Sequence, residues 1–163
     1  MPSDLESLLE RLTRHGVEFV VVGGFAAVAH GVTLLTQDID ICCRFTSGNL
    51  LRLQAALAGL RPVHRMATGH PPLSLTAETA AGFHNLYLET AWGQLDCLGE
   101  VLGVGGFDDV LGKSVEIQLP GGSCRVLAID ALIRAKQAMG RDKDRETIIQ
   151  LRAIQERTRD QAS

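Results

Sequence analysis

No apolar run in this sequence is long enough to cross a bilayer. The longest, from Phe19 through Ala29, is cut by Gly23 and Gly24 and falls short of the roughly 20 residues that a membrane helix needs. A basic start followed by an apolar stretch is also missing: Met1-Pro2-Ser3-Asp4-Leu5-Glu6 has no secretory character, so a soluble, cytoplasmic protein with no membrane partner is expected. There is no excess of positive charge. With 16 Lys and Arg against 19 Asp and Glu, the net charge is -3, which argues against a surface built to coat long nucleic acid, where affinity comes from many cationic contacts. A local basic patch around one phosphate remains compatible with that balance. The four cysteines, Cys42, Cys43, Cys97 and Cys124, lack the spacing of a zinc knuckle or a Cys-x-x-Cys redox pair, so reduced, buried thiols are expected.

What is present is enough apolar material for a core, 45% of 163 residues, in a length that fits one domain. Ser3-Asp4-Leu5-Glu6 has the form of a capping box, and Leu5, Leu8, Leu9 and Leu12 then fall on one helical face that ends at Gly16. Val17 to Val22 suits a strand covered on both faces, and Phe25 to His30 a short helix stopped by Gly31. Asp38 to Ile41 alternates polar and apolar with strand period. Thr46 or Ser47 caps a helix striped with Leu50, Leu53, Leu57 and Leu60. Residues 61–82 carry no clear pattern, and His70-Pro71-Pro72 marks a turn or irregular edge. Strands are expected at Asn85–Glu89 and Gln94–Leu98, then at Ser114–Leu119 and Ser123–Leu127 around the hairpin signal Pro120-Gly121-Gly122. Helices over Ile129–Met139 and Lys143–Arg157 divide at Gly140. The expected organisation is one α/β (α+β) domain over 1–163, with a core at 1–127 and a helical tail at 128–163.

Asp38 and Asp40, two apart on a strand, point to one face about 6–7 Å apart at the backbone, while Ile39 and Ile41 point into the core. Two adjacent carboxylates repel, and a cation between them removes that cost. Magnesium suits such a pair because it prefers oxygen ligands and completes its shell with water and phosphate. A solvated polar strand face is the plainer account of the triplet alone. Gly23-Gly24, between a buried strand and a short helix, would set amides at a helix N-terminus, where phosphate is favoured. A tight turn explains the pair equally well.

Taken in order, Gly23-Gly24, thirteen intervening residues, Asp38-Ile39-Asp40-Ile41 and the later Leu95-Asp96-Cys97 resemble the signature of the DNA polymerase beta-like nucleotidyltransferase superfamily. Val21 through Gly31, and the late stretch from Lys136 through Asp144, look like the minimal nucleotidyltransferases of toxin–antitoxin and abortive-infection systems. The resemblance implies the nucleotidyltransferase fold, a mixed, mostly antiparallel sheet flanked by helices. It also implies two magnesium ions held by Asp38, Asp40 and Asp96. On this reading Asp96 lies nearest the acceptor hydroxyl as ligand or general base, and the Gly23 and Gly24 amides cradle the phosphates of a nucleoside triphosphate, ATP being the expected one. The acceptor implied is a hydroxyl on a partner protein, an RNA end or a small molecule. Many members carry Gly-Ser at the first motif, whose hydroxyl contacts the triphosphate; Gly24 followed by Phe25 lacks it. A module without useful turnover, such as an antitoxin or a nucleotide sensor, is therefore the alternative.

Lys136, Arg141 and Lys143 are candidate phosphate contacts, with a solvated helix start, offset by Asp142, Asp144 and Glu146, as the plainer account. His30 reads as a helix-end or backbone contact. Tyr87 and Trp92 read as packing residues that are also able to stack on a base.

Overall fold

The computed structural model describes residues 4–162. In chain order the helices and strands are α1 (Asp4–Arg14), β1 (Phe19–Val22), α2 (Gly23–Ala29), β2 (Asp38–Cys43), α3 (Ser47–Ala56), β3 (Val63–His64), α4 (Ala77–Ala80), β4 (Asn85–Thr90) and β5 (Gly93–Leu98). They continue with β6 (Glu100–Val101), β7 (Gly105–Gly106), α5 (Phe107–Gly112), β8 (Ser114–Leu119), β9 (Gly122–Leu127), α6 (Ile129–Met139) and α7 (Arg145–Ala162). A 3-10 turn over Asp142–Asp144 joins the last two helices.

Seven strands form one sheet in the order β3-β4-β5-β2-β1-β9-β8, and β6 pairs with β7 apart from it. Within the main sheet β1–β9 and β2–β5 are parallel and the other pairs antiparallel. Parallel neighbours require crossover connections, so β2 and β5 bring together residues far apart in the chain. The two hairpins arise where the turn chemistry is strongest. Leu119 faces Gly122 across Pro120-Gly121, and Thr90 faces Gly93 across Ala91-Trp92, where the Thr90 hydroxyl donates to the Gly93 carbonyl at 2.8 Å.

The apolar periodicities seen in the sequence end in one core. Leu8, Leu9 and Leu12 of α1 pack with Leu50 and Leu53 of α3 and with Leu57 and Leu60 beyond it, and Ile39, Ile41, Leu86, Leu88 and Leu95 fill the sheet side. Thr46 is the N-cap of α3, its hydroxyl accepting from the Asn49 amide at 3.3 Å. Asn49, fully buried, receives the Glu18 amide and donates to the carbonyls of Glu18 and Arg44, stitching α3 to the entry of β1 and the exit of β2. Gly140 closes α6 at φ +65° in the left-handed conformation that glycine adopts freely. All four cysteines are buried and unpaired, and burial pushes the Cys42 and Cys124 thiols up to about 12 and about 11, which keeps them protonated.

Some expectations shift. β1 starts at Phe19 rather than Val17, α2 starts at Gly23 rather than Phe25, and α7 starts at Arg145 after the 3-10 turn. The Ser3 cap lies outside the described residues. Residues 61–82 hold a two-residue strand and a four-residue helix, elements too short to leave a periodic signal. No helix among the described residues is long and apolar enough to cross a membrane.

Candidate active site

One row of side chains crosses four strands. Val22 of β1 pairs in register with Asp40 of β2, Asp40 with Asp96 of β5, and Asp96 with Tyr87 of β4. Register partners project to the same face of a sheet, so Asp40 and Asp96 stand side by side, and Asp38, two residues before Asp40, shares their face. The alternate positions Ile39, Ile41, Leu95 and Cys97 are fully buried on the other side. That buried set fixes the register, because a one-residue slip would turn both aspartates into the core.

Gly23 is demanded by this arrangement. A Cβ there would lie 2.5 Å from Oδ2 of Asp40, and its φ of +68° is a conformation that other residues adopt at a cost. Gly24 is less constrained: a Cβ would approach Leu34 and Thr36 at 3.3 and 3.5 Å, with no positive φ. The two glycines expected to act together thus have different structural reasons to be there.

A cavity of about 340 Å³ opens beside Asp40. Its polar wall includes Gly23, Asn85, Glu100, Lys136 and Arg141, and its apolar wall includes Tyr87, Leu98, Leu102, Leu132 and Met139. Burial, then the charges of Asp96 and Asp38, push the Asp40 carboxyl up to about 6, while Arg141 and Lys136 pull it down. Four of the charged groups that the sequence singled out, Asp38, Asp96, Lys136 and Arg141, therefore act on Asp40.

Lys136 and Arg141 are not free cations. Nζ of Lys136 donates to Oδ1 of Asp144 at 3.2 Å, and Nε of Arg141 to Oδ2 at 2.6 Å. Asp144 and Lys136 are both buried. Burial raises the Asp144 carboxyl, but hydrogen bonds and charge from Arg141 and Lys136 outweigh it and hold the group below the usual carboxylate range. Lys143 is exposed in the 3-10 turn and does not line the cavity. His30 makes a backbone contact, its Nε2 lying 2.8 Å from the Leu127 carbonyl.

Arg65, which no sequence pattern indicated, reaches the row from the residue after β3. Its Nη2 lies 2.7 and 2.6 Å from the two oxygens of Asp96, and Nε lies 3.2 Å from Oδ1. A two-residue strand gives no periodicity to place this residue, and no motif contains it. Asn85 and Glu100 were likewise invisible in the sequence as cavity residues.

The oxygen-only donor set of Asp38, Asp40 and Asp96 fits a hard divalent cation, and Cys42, two residues beyond Asp40 on the same face, is fully buried with its thiol held protonated. Among the described residues no three His, Cys, Asp or Glu side chains already converge at ion-binding distance. The fit is thus one of chemistry and face, with Arg65 occupying the Asp96 carboxylate.

The chain has a nucleotidyltransferase fold. The solved structure of TM1012 from Thermotoga maritima, described as a candidate nucleotidyltransferase, superposes with a TM-score of 0.57 at 18% identity, over 90% of this chain and 88% of that one. ANT(2'')-Ia in complex with adenylyl-2''-tobramycin superposes at 0.56 with 16% identity, over 98% and 97%. A solution structure of ANT(2'')-Ia, an antibiotic-resistance factor, gives 0.55 at 17% identity, over 92% and 82%. No family model and no curated protein sequence matches the chain. At these identities the likeness is one of fold.

Proposed function

We propose that this protein is a magnesium-dependent nucleotidyltransferase, moving a nucleoside monophosphate group from a triphosphate to a hydroxyl acceptor. The observation that carries the reading is Asp40 and Asp96 side by side on parallel neighbours, with Asp38 on the same face, and Asp40 lining a cavity that has both a polar and an apolar wall. Asp38 and Asp40 would hold the cation that meets the triphosphate. Asp96 would hold a second one or accept the proton of the acceptor hydroxyl. Such ions, when bound, supply charge neutralisation at the entering and leaving oxygens.

The chain's own contribution is placement and charge. Gly23 leaves room for the Asp40 carboxylate against the backbone, and the Gly23 and Gly24 amides are proposed phosphate contacts. Lys136 and Arg141 line the cavity and are held in place by Asp144, so they would meet a phosphate there with little reorganisation. Tyr87, Leu98 and Met139 offer the flat and apolar surface that a nucleobase takes, ATP being the proposed donor. Lys143 stays a weaker candidate, at the exposed turn. For the acceptor, a hydroxyl on a partner protein, an RNA end or a small molecule is proposed. ANT(2'')-Ia, in complex with adenylyl-2''-tobramycin, is an example of a small molecule carrying an adenylyl group on this fold.

Two observations favour a second reading, a nucleotide-binding module without turnover: Arg65 sits on the Asp96 carboxylate, and position 24 is Gly where many members of the superfamily that the sequence resembles carry a serine. Labelled ATP separates the two. Magnesium-dependent binding that disappears in Asp40→Ala, with a labelled acceptor formed in cell extract that disappears in Asp96→Ala, is the outcome expected of the enzyme. Binding without any labelled product supports the module. Absence of magnesium-dependent binding in a folded protein overturns both.

A further inference from the structure

Arg65 is built into the acidic row rather than resting on its surface. Its amide donates to the Tyr87 carbonyl at 3.0 Å, which ties its backbone to β4, and its guanidinium lies 5.6 Å from the centre of the Tyr87 ring. Tyr87 is the register partner of Asp96, so one residue of β4 positions Arg65 over the carboxylate that it grips. The side chains of Arg65 and Asp96 are 24% and 14% exposed, which screens this pair less than a surface ion pair. Asp38 and Asp40 also act on the guanidinium, which makes Arg65 a counter-ion to all three carboxylates.

A two-pronged guanidinium engages both oxygens of a carboxylate. A divalent cation at Asp96 needs at least one of those oxygens and is repelled by a fixed positive charge beside it. The two cannot share Asp96 as it stands. Lys136 and Arg141 do not compete in the same way, because Asp144 already holds both. No such guanidinium contact to Asp38 or Asp40 is present among the described ion pairs.

We propose that Arg65 is a positioning residue that occupies Asp96 in place of a divalent cation, so that Asp38 and Asp40 take a cation readily and Asp96 takes one only when Arg65 is displaced. The proposal rests on the cation reading of the three carboxylates given above. It assigns the first and second metal positions different affinities and names the side chain responsible.

Manganese binding without nucleotide tests it, by calorimetry on the full chain as wild type, Arg65→Gln, Asp40→Asn and the double variant Arg65→Gln/Asp96→Asn. Removing the competing charge is expected to tighten binding about tenfold or to add a second equivalent, in line with the strength of a charge-assisted bidentate pair. The gain should vanish in the double variant. Arg65→Lys, which keeps the charge but loses the fork, is expected to show a smaller gain in the same direction and covers the case in which Arg65→Gln fails to fold. Loss of a merely structural contact does not raise metal affinity. Unchanged or weaker binding in folded Arg65→Gln or Arg65→Lys, with wild-type binding removed by Asp40→Asn, overturns the role of Arg65 and leaves the cation reading standing. Manganese binding indifferent to Asp40→Asn overturns the cation reading and this inference with it.

Discussion

At the scale of single residues, Asp40 concentrates the physics of the site. Its carboxyl is raised from 3.8 to about 6 by burial and by its two acidic neighbours. Between those values the folded protein holds a proton that the unfolded chain has released, so this group's contribution to stability falls as pH rises through the window. The full swing is on the order of 2–3 kcal/mol, from the conversion of pKa units to free energy. Chemical denaturation at pH 4.5 and pH 7 should show the Asp40→Asn variant gaining on wild type at the higher pH, with a flatter profile between. A variant less stable than wild type at pH 7 would contradict the electrostatic account. The pairing of aspartates two apart was legible from strand period alone. The collision that forbids a side chain at Gly23 was not, because it depends on a contact between two elements separated by a loop.

The element scale is where α6, the 3-10 turn and α7 meet. Asp144 receives Lys136 from one helix and Arg141 from the turn, and both Asp144 and Lys136 are buried. Removing one partner of a buried pair leaves an uncompensated charge, so Asp144→Ala should cost about 3–5 kcal/mol. Denaturant unfolding checks this, and Asp144→Leu combined with Lys136→Met should recover much of the loss. Helix α6 and its Gly140 stop were plain in the sequence, and so were both hairpins, because each rests on local chemistry. The capture of Lys136 and Arg141 by Asp144 was not. The acidic residues looked like dipole compensation at a helix start, and periodicity does not say where a charged side chain turns. Residues 99–113 carried no reading either, since β6 and β7 are two residues each and α5 only six.

For the whole molecule, the tail contributes to the same core as the sheet. Ala131, Leu132 and Ile133 of α6 and Leu151 of α7 join the buried cluster, and Gln150 exchanges hydrogen bonds with the backbone of Thr33. The full chain is therefore expected to unfold in one transition. A fragment ending at residue 127, which uncovers Val126, Leu127 and the packed face of α2, should lack a cooperative urea transition by circular dichroism and tryptophan fluorescence alike. Independent folding of that fragment would make the tail an accessory rather than a part of the domain.

Local rules were enough to set out most helices, the hairpins, the buried cysteines and the acidic face of β2, because caps, turns and apolar period act over a few residues. Only the tertiary structure could decide that β5 runs parallel beside β2 with Asp96 level with Asp40, that Lys136 and Arg141 share Asp144, and that Arg65 grips Asp96. The reason is physical. Strand order and the direction of long charged side chains are set by how distant segments bury their apolar faces against each other, and no short stretch of chain contains that information.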